Sequence, residues 1–533
     1  MRLDLRHGSR APSPALAPIT LASVALACLG LACLGLASPS RVSAQDALSV
    51  DAAVEEAMTE SPTLRAAVLA SRSAERLVVR EEGAYPFRLT LDATGSVGNT
   101  PQLSPTFTTM TRPDGTMVTV PTGTGLVTFP YTQSIDLGAA LERALPWGMT
   151  VSARLDAIRT YRAVLPTATS RDLAQIGPGY GLNLRLGVTQ SLLRGFGEDV
   201  GYATLRQARA DRGATDASRD RTASALLRDV LVAYWELWLA ERVVQIQEAA
   251  RDVLQRQLED ARTRTGLGAL AGADALSIEA QVASAESAIA SAELTARTAS
   301  ITLARLLGRT TESLPSASEA PSSLGPVVLA SAEGEPIEEA PEVLEARARI
   351  ESARVATQIA GQSVMPVLDV GAEVQVLGLG YDDVGQTLSN LGSFTAVQFL
   401  GTLTYQSPLD DVQLRMDQAR AALAVEAAEA SYDAARAAAV AEARAALESD
   451  RAASRRVELS AHAVELARRA LAAQEERRSL GAGVLLDVLT AAQTLRQAEL
   501  ELARAEVDAQ EARVRWLHLR GELLARYRER LPE

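Results

Sequence analysis

Two glutamates and two arginines, Glu475, Glu476, Arg477 and Arg478, stand in a row immediately before Ser479-Leu480-Gly481. The chemistry open to them is electrostatic: on a helix they pair at i,i+4 spacing along a solvated face. Bond-making chemistry has weaker candidates. The three histidines, His7, His462 and His518, are isolated, with no metal-ligand spacing, phosphate loop or nucleophile motif beside them. Neither an enzyme nor a cofactor is expected. Tyr234, Trp235 and Trp238 recur at helical spacing and read as packing residues, not as a ligand site.

The two cysteines, Cys28 and Cys33, lie in an N-terminal segment with its own logic. Arg2, Arg6 and Arg10 precede an uncharged stretch that reaches Arg41 and whose apolar part covers residues 19–37. Val42-Ser43-Ala44 then stands before Gln45, so residues 1–44 read as a secretory signal cleaved after Ala44. Lipidation of either cysteine would need an aliphatic residue three positions earlier, where Ala25 and Gly30 stand. The mature chain is then cysteine-free, which excludes a disulfide framework, a redox pair and a cysteine-bound metal. No later segment is long and apolar enough for a membrane helix, so a membrane crossing would have to use strands.

Composition narrows the partners. A net charge of -13, with no strongly basic region to offset it, argues against nucleic acid. Aromatic residues make up only 4% of the chain, too few for an ordinary globular core of this length but enough for long helices packed through alanine.

Positioning the charged run are elements that occur twice. Residues 264–308 recur without a gap at 477–521: Gly268 falls on Gly481, Asp274 on Asp487, Leu276 on Leu489, Glu286 on Glu499, Glu293 on Glu506 and Gly308 on Gly521. Apolar residues in both copies keep an unbroken 3-4 spacing, which predicts coiled-coil-like helices. Upstream, residues 47–82 read as helix, with Asp51 able to cap and a break near Ser61-Pro62; the second copy breaks at Ala340-Pro341. Period-two alternation follows at Phe87, Leu89, Leu91, Ala93 and, less regularly, at Val367, Val370, Ala372, Val374. Return strands are predicted at Leu182, Leu184, Leu186, Val188 and at Ala396, Phe399, Leu403, Tyr405. The first copy also carries a Gly/Pro/Thr-rich stretch at 98–132, read as an extended loop, and an extra hairpin at 134–161 turning at Pro146-Trp147-Gly148. Nearly glycine-free and proline-free helices are predicted at about 202–262 and 413–478, each roughly 90 to 100 Å long.

The predicted fold is therefore mainly α with a membrane β-barrel portion, built from a duplicated helix-strand-strand-helix repeat. Its parts are a signal (1–44), a first repeat (45–308) ending in a helical hairpin at 202–307, a linker (309–335), a second repeat (336–527) with its hairpin at 413–527, and a tail (528–533). Four to six strands cannot close a membrane barrel alone, and open edges cannot remain in lipid, so several copies must share one barrel.

These residues resemble the TolC-like outer-membrane efflux and export channels over residues 47–527. The matching segments are Leu48 to Val54 with Ser61-Pro62-Thr63-Leu64, Gln190-Ser191-Leu192-Leu193, Ala233-Tyr234-Trp235-Glu236-Leu237, and Arg478-Ser479-Leu480-Gly481 followed by Leu486-Asp487-Val488-Leu489. The resemblance implies a homotrimer in outer-membrane lipid with four strands per protomer, a twelve-stranded barrel and a helical tunnel through the periplasm. It also implies two partners, a periplasmic adaptor docked at the tunnel's base and an inner-membrane pump beyond it. The function expected is the passive exit duct of a tripartite efflux pump or type I secretion system. By the same resemblance Gly266, Leu267, Gly268, Leu480 and Gly481 match the adaptor-docking tips. Glu475 matches one of two acidic positions that narrow the tunnel entrance, the other being Ala472 here; a threefold ring of Glu475 would favour cations and be held or loosened by the neighbouring arginines. The competing readings are a pore-less periplasmic coiled-coil scaffold or adaptor, and an inner-membrane protein held by an uncleaved N-terminus.

Overall fold

The computed structural model describes residues 47–99, 102–128, 131–164, 174–267, 272–310, 313–321, 337–381, 383–407, 409, 411–480 and 482–530. The segment read as a signal, most of the linker, Gly268, Gly481 and the last three residues of the tail lie outside these.

The described chain opens with β1 (Ala47–Leu48), α1 (Val50–Glu60) and α2 (Pro62–Glu82). Ser49, not the expected Asp51, caps α1: its hydroxyl accepts the Ala52 amide at 3.2 Å, while Asp51 sits in the first turn, where its charge suits the helix dipole. Pro62 starts α2 because the first helical position has no intrahelical N–H bond to lose.

The strands that follow are β2 (Arg88–Asn99), β3 (Gln102–Thr111), β4 (Met117–Thr128), β5 (Tyr131–Ala144), β6 (Met149–Val164) and β7 (Ala174–Ser191). The expected loop at 98–132 is instead the hairpin β3–β4, a two-stranded sheet of its own. It turns through Pro113-Asp114-Gly115, where Gly115 takes φ +82° and Asp114 accepts the Thr116 amide at 3.0 Å. Thr and Val on either side of that turn favour extended backbone more than the scattered Gly and Pro oppose it.

A short α3 (Glu198–Gly201) leads into α4 (Ala203–Gly266), a rod of 64 residues, and α5 (Gly272–Leu307) returns along it. After β8 (Ser316–Ala317) come α6 (Pro341–Ser363), β9 (Val367–Tyr381), α7 (Val384–Gly392) and β10 (Ala396–Gln406). The second rod, α8 (Val412–Ser479), has 68 residues, and α9 (Leu485–Leu519) returns along it. The returning helix does not run to Tyr527 as expected: it breaks at Gly521, which takes φ +69°, and a short α10 (Glu522–Tyr527) follows. Gly308 ends α5 in the same left-handed conformation, φ +78°.

Six strands form one antiparallel sheet in the order β10-β9-β7-β6-β5-β2. The hairpin β5–β6 is thus inserted between the first repeat's outer strands. β9 explains the irregular alternation read at Val367: Val370, Ala372, Val374 and Val376 share one face, whereas Val367 belongs to the other.

The largest apolar core lies around the middle of α4. Leu227, Val230, Leu231, Tyr234 and Trp235 pack there against Val54, Ala57 and Met58 of α1, Leu303 and Leu307 of α5, and Val507 and Val514 of α9. Tyr234 and Trp235 are fully buried, in keeping with a packing role. Tyr234 donates its hydroxyl proton to the Leu48 carbonyl at 2.8 Å and accepts the Glu319 amide at 3.1 Å, so the described part of the linker lies against this core. α6 packs on both α4 and α8 and joins the two rods.

Candidate functional site

At one end of the rods, α4 stops at Gly266 and α8 at Ser479. Leu267 and Leu480 cap the two helices and are 80% and 76% exposed. Val484, Leu486 and Leu276 are exposed nearby, so both turns present aliphatic side chains to solvent. Gly266 has open space where a side chain would go. The glycine held by its surroundings is Gly483, which the sequence reading passed over: a Cβ there would lie 2.8 Å from the Arg478 amide nitrogen. Its only sequence signal is its position two residues after Gly481.

Beneath the turns, Leu258 and Ala261 of α4, Ile278 and Val282 of α5 and Leu489 of α9 form a buried cluster, which brings the two hairpin ends side by side. The charged run divides. Glu475 and Glu476 are exposed. Arg477 reaches Gln474 at 3.5 Å, one turn back. Arg478 leaves its own helix and donates to Gln257 and Asp260 on α4. The arginines therefore pair away from Glu475; Arg478 ties one hairpin to the other, a link that the sequence reading missed.

At the other end, the sheet has two unlike faces. One carries Leu89 and Leu91 of β2, Ile135, Leu137 and Leu141 of β5, Val151 and Leu155 of β6, Leu186 and Val188 of β7, Val370 and Val374 of β9, and Phe399 and Leu403 of β10, in register from strand to strand. Most of these are between 40% and 77% exposed. Aromatic residues stand at both ends of this band: Tyr131, Tyr161 and Tyr180 at one, Trp147 and Tyr405 at the other. Between them the strands cover roughly 30 Å at the usual tilt, the thickness of a hydrocarbon layer. An apolar band with aromatic girdles is what a lipid-facing strand surface requires.

The opposite face is polar and carries an ion ladder. Arg154 of β6 bonds to Asp92 of β2 at 2.9 Å and to Asp156 at 2.7 Å, and Arg185 of β7 bonds to Asp156 at 2.5 Å. Gly138 of β5 lies under the Arg154 side chain, where a Cβ would fall 2.5 Å from both Arg154 Nη2 and Asp92 Oδ2.

His518 is not isolated, contrary to the sequence reading. Its Nδ1 lies 2.8 Å from Ser224 Oγ and its Nε2 3.2 Å from Glu342, which joins α9 to α4 and α6. Burial alone would raise the Glu342 carboxyl, but the hydrogen bond and charge of His518 outweigh it and hold the group below its ordinary range. The row of serine, imidazole and carboxylate has the residue types of a nucleophile triad, yet Ser224 is wholly buried and no substrate can approach it. It acts as a structural clamp. Nearby, burial pushes Glu511 up to about 7, helped by a hydrogen bond with Glu236 and by that residue's charge. Among the described residues no cluster of His, Cys, Asp and Glu could hold a metal ion, and no helix is long and apolar enough to cross a membrane.

Residues 334–522 match the family model of the outer membrane efflux proteins. No curated protein matches the chain by sequence. Solved structures share the fold. VceC, an outer membrane protein of Vibrio cholerae, is 17% identical with a TM-score of 0.59, over 89% of this chain and 96% of that one. The CmeC outer membrane channel of Campylobacter jejuni is 12% identical with a TM-score of 0.62, over 90% and 89% of the two chains. The open state of the MtrE outer membrane channel of Neisseria gonorrhoeae is 16% identical with a TM-score of 0.57, over 89% of each. The chain shares the fold of these channels, mainly helical with a sheet region, and its second half matches the outer membrane efflux protein model.

Proposed function

We propose that this chain, with an outer membrane efflux protein domain over residues 334–522, is the outer-membrane exit duct of a tripartite efflux or type I secretion system. The observation that carries the reading is the pairing of two surfaces in one chain: a sheet with an exposed apolar face between aromatic girdles, and two rods of 64 and 68 residues leading away from it. A soluble scaffold gains nothing from that apolar face, whereas lipid covers it. Three protomers close the sheet regions into one barrel, and their hairpins wall a tunnel that crosses the periplasm. The chain carries no nucleotide-binding signature, so energy comes from an inner-membrane pump. The tips at Gly266, Leu267, Gly268, Leu480 and Gly481 dock a periplasmic adaptor, for which the exposed Leu267 and Leu480 supply apolar contacts. Glu475, exposed on the last turns of α8, contributes negative charge at the tunnel mouth.

Cell fractionation tests the reading. Heat-modifiable oligomers in the outer membrane are expected; a soluble periplasmic monomer would refute the duct and favour the scaffold. Replacing Gly268 and Gly481 with tryptophan is expected to abolish export while oligomers still assemble. Unchanged export would remove the tips from the docking surface.

A further inference from the structure

The six-stranded sheet ends in two bare edges. Among the described residues, β2 borders only β5 and β10 borders only β9, and almost every residue of both strands is exposed. A bare edge is tolerable in water but not in lipid, where nothing else can take up the hydrogen bonds of its backbone groups. Six strands are too few to close on themselves, since the smallest membrane barrels have about eight.

The two edges match. Because every neighbour in the sheet is antiparallel, β2 and β10 run in opposite directions. They are 12 and 11 residues long. Their sidedness also agrees: Leu89, Leu91 and Val97 of β2 lie on the face that carries Val397, Phe399 and Leu403 of β10. Joining β2 of one copy to β10 of the next therefore continues both the antiparallel ladder and the apolar band. Joining β2 to β2 around a cyclic axis would instead place two strands of the same direction together.

The inserted hairpin belongs to this wall. Ile135, Leu137 and Leu141 of β5 and Val151 and Leu155 of β6 are 40% to 53% exposed on the shared apolar face. A hairpin folded against the rim would have hidden one of its faces. On the polar side, Arg154 joins the hairpin to β2 and, through Asp156, to Arg185 of β7, so it is tied in from both flanks.

We infer that β2 of one protomer pairs antiparallel with β10 of a second copy, and that each protomer gives six strands to the barrel. The inference rests on the trimeric duct proposed above, for which three copies of six strands make eighteen, not the twelve that the resemblance implies. At ordinary strand spacing and tilt an eighteen-stranded barrel is roughly 36 Å across between backbones, against roughly 24 Å for twelve.

The seam is tested by disulfide trapping in the full chain with Cys28 and Cys33 replaced by serine. Leu91→Cys is combined in turn with Val397→Cys, Phe399→Cys and Leu403→Cys, a span that brackets the register. At least one pair is expected to give a ladder of covalent dimer and trimer that collapses on reduction, with each single variant remaining monomeric on the same gel. Electron microscopy of the unmodified oligomer in nanodiscs supplies a count that needs no variant. Eighteen strands with β5 and β6 in the wall support the inference. Twelve strands, or trimers that no pair cross-links, overturn it and leave the duct standing. A monomer in the membrane extract overturns the duct itself.

Discussion

Arg478 on α8 donates to Asp260 on α4, although the two residues lie more than 200 positions apart in the chain. Only 11% of the Arg478 side chain is exposed, and Gln257 takes a second N–H, so the guanidinium is held on two sides. The contact fixes the free end of one hairpin to the other. Asp260→Ala is expected to cost about 1–2 kcal/mol, between the values of exposed and buried ion pairs, because Asp260 itself is 41% exposed. Single-channel recording is the sensitive measurement: the loosened end is expected to raise conductance. The exchange of Asp260→Arg with Arg478→Asp is expected to restore it in part. If Asp260→Ala leaves conductance unchanged, the link does not constrain the tunnel.

What was legible in the sequence followed from repetition. The rods could be read because 60 or more residues pass without proline, and tolerate Gly213, whose missing side chain opposes nothing. The strands could be read wherever alternation kept phase, as at Leu182 to Val188. The hairpin β3–β4 was obscured because single glycines and prolines dominate a composition-based reading, whereas ladder pairing depends on the partner strand. His518 was illegible for a different reason: its partners Ser224 and Glu342 come from other helices, and only the packed fold brings them near. The same is true of Asp260, whose partner Arg478 lies on the other rod. Contacts between repeats leave no local pattern.

Gly308 and Gly521 provide a paired test of the duplication. Each has positive φ, and a Cβ on each would lie 2.7 Å from a backbone carbonyl, that of Glu60 in the first case and Glu339 in the second. Both carbonyls belong to the residue two before a proline that starts a helix, Pro62 or Pro341. Alanine at either site combines left-handed strain with a contact that only backbone movement relieves, at a cost of about 1–3 kcal/mol. Thermal melting of the solubilised protein is expected to give similar losses for Gly308→Ala and Gly521→Ala. A loss at one site alone would mean that the two junctions differ in tightness.

Glu511 sets a pH dependence whose sign can be worked out. Its carboxyl is raised to about 7 in the fold, from 4.5 when unfolded, by burial and by Glu236. The folded state therefore binds the proton more tightly than the unfolded state. The associated stability is fully present below about pH 4.5 and is lost as pH rises through 7. Glu511→Gln mimics the protonated group, so it is expected to stabilise the protein at pH 8, by about 3 kcal/mol at most, and to change little at pH 4. Melting temperatures of the two proteins across this range should converge on the acid side. Divergence on the acid side instead would show that Arg515 and Arg504 govern this carboxylate and not its burial.

On the polar face of the sheet, two substitutions separate the charge of the ladder from its fit. Gly138→Ala places a methyl group where the Arg154 side chain passes, but the obstructing atoms are the mobile ends of Arg154 and Asp92. Arg154 can withdraw from Asp92 and keep its 2.7 Å bond to Asp156. The cost is then the loss of one partly exposed pair, which is small, with the net charge of the face unchanged. Arg154→Gln removes the charge while keeping much of the length, and it leaves Asp92 and Asp156 with Arg185 as their remaining ladder cation. Uncompensated carboxylates facing water attract cations. Reversal potentials under a salt gradient are therefore expected to shift toward cation preference for Arg154→Gln and to stay near the parent value for Gly138→Ala. Equal shifts in both would mean that position, and not charge, matters at Arg154. No shift in either would place the selective element of the conduit elsewhere, at the helical end where Glu475 stands.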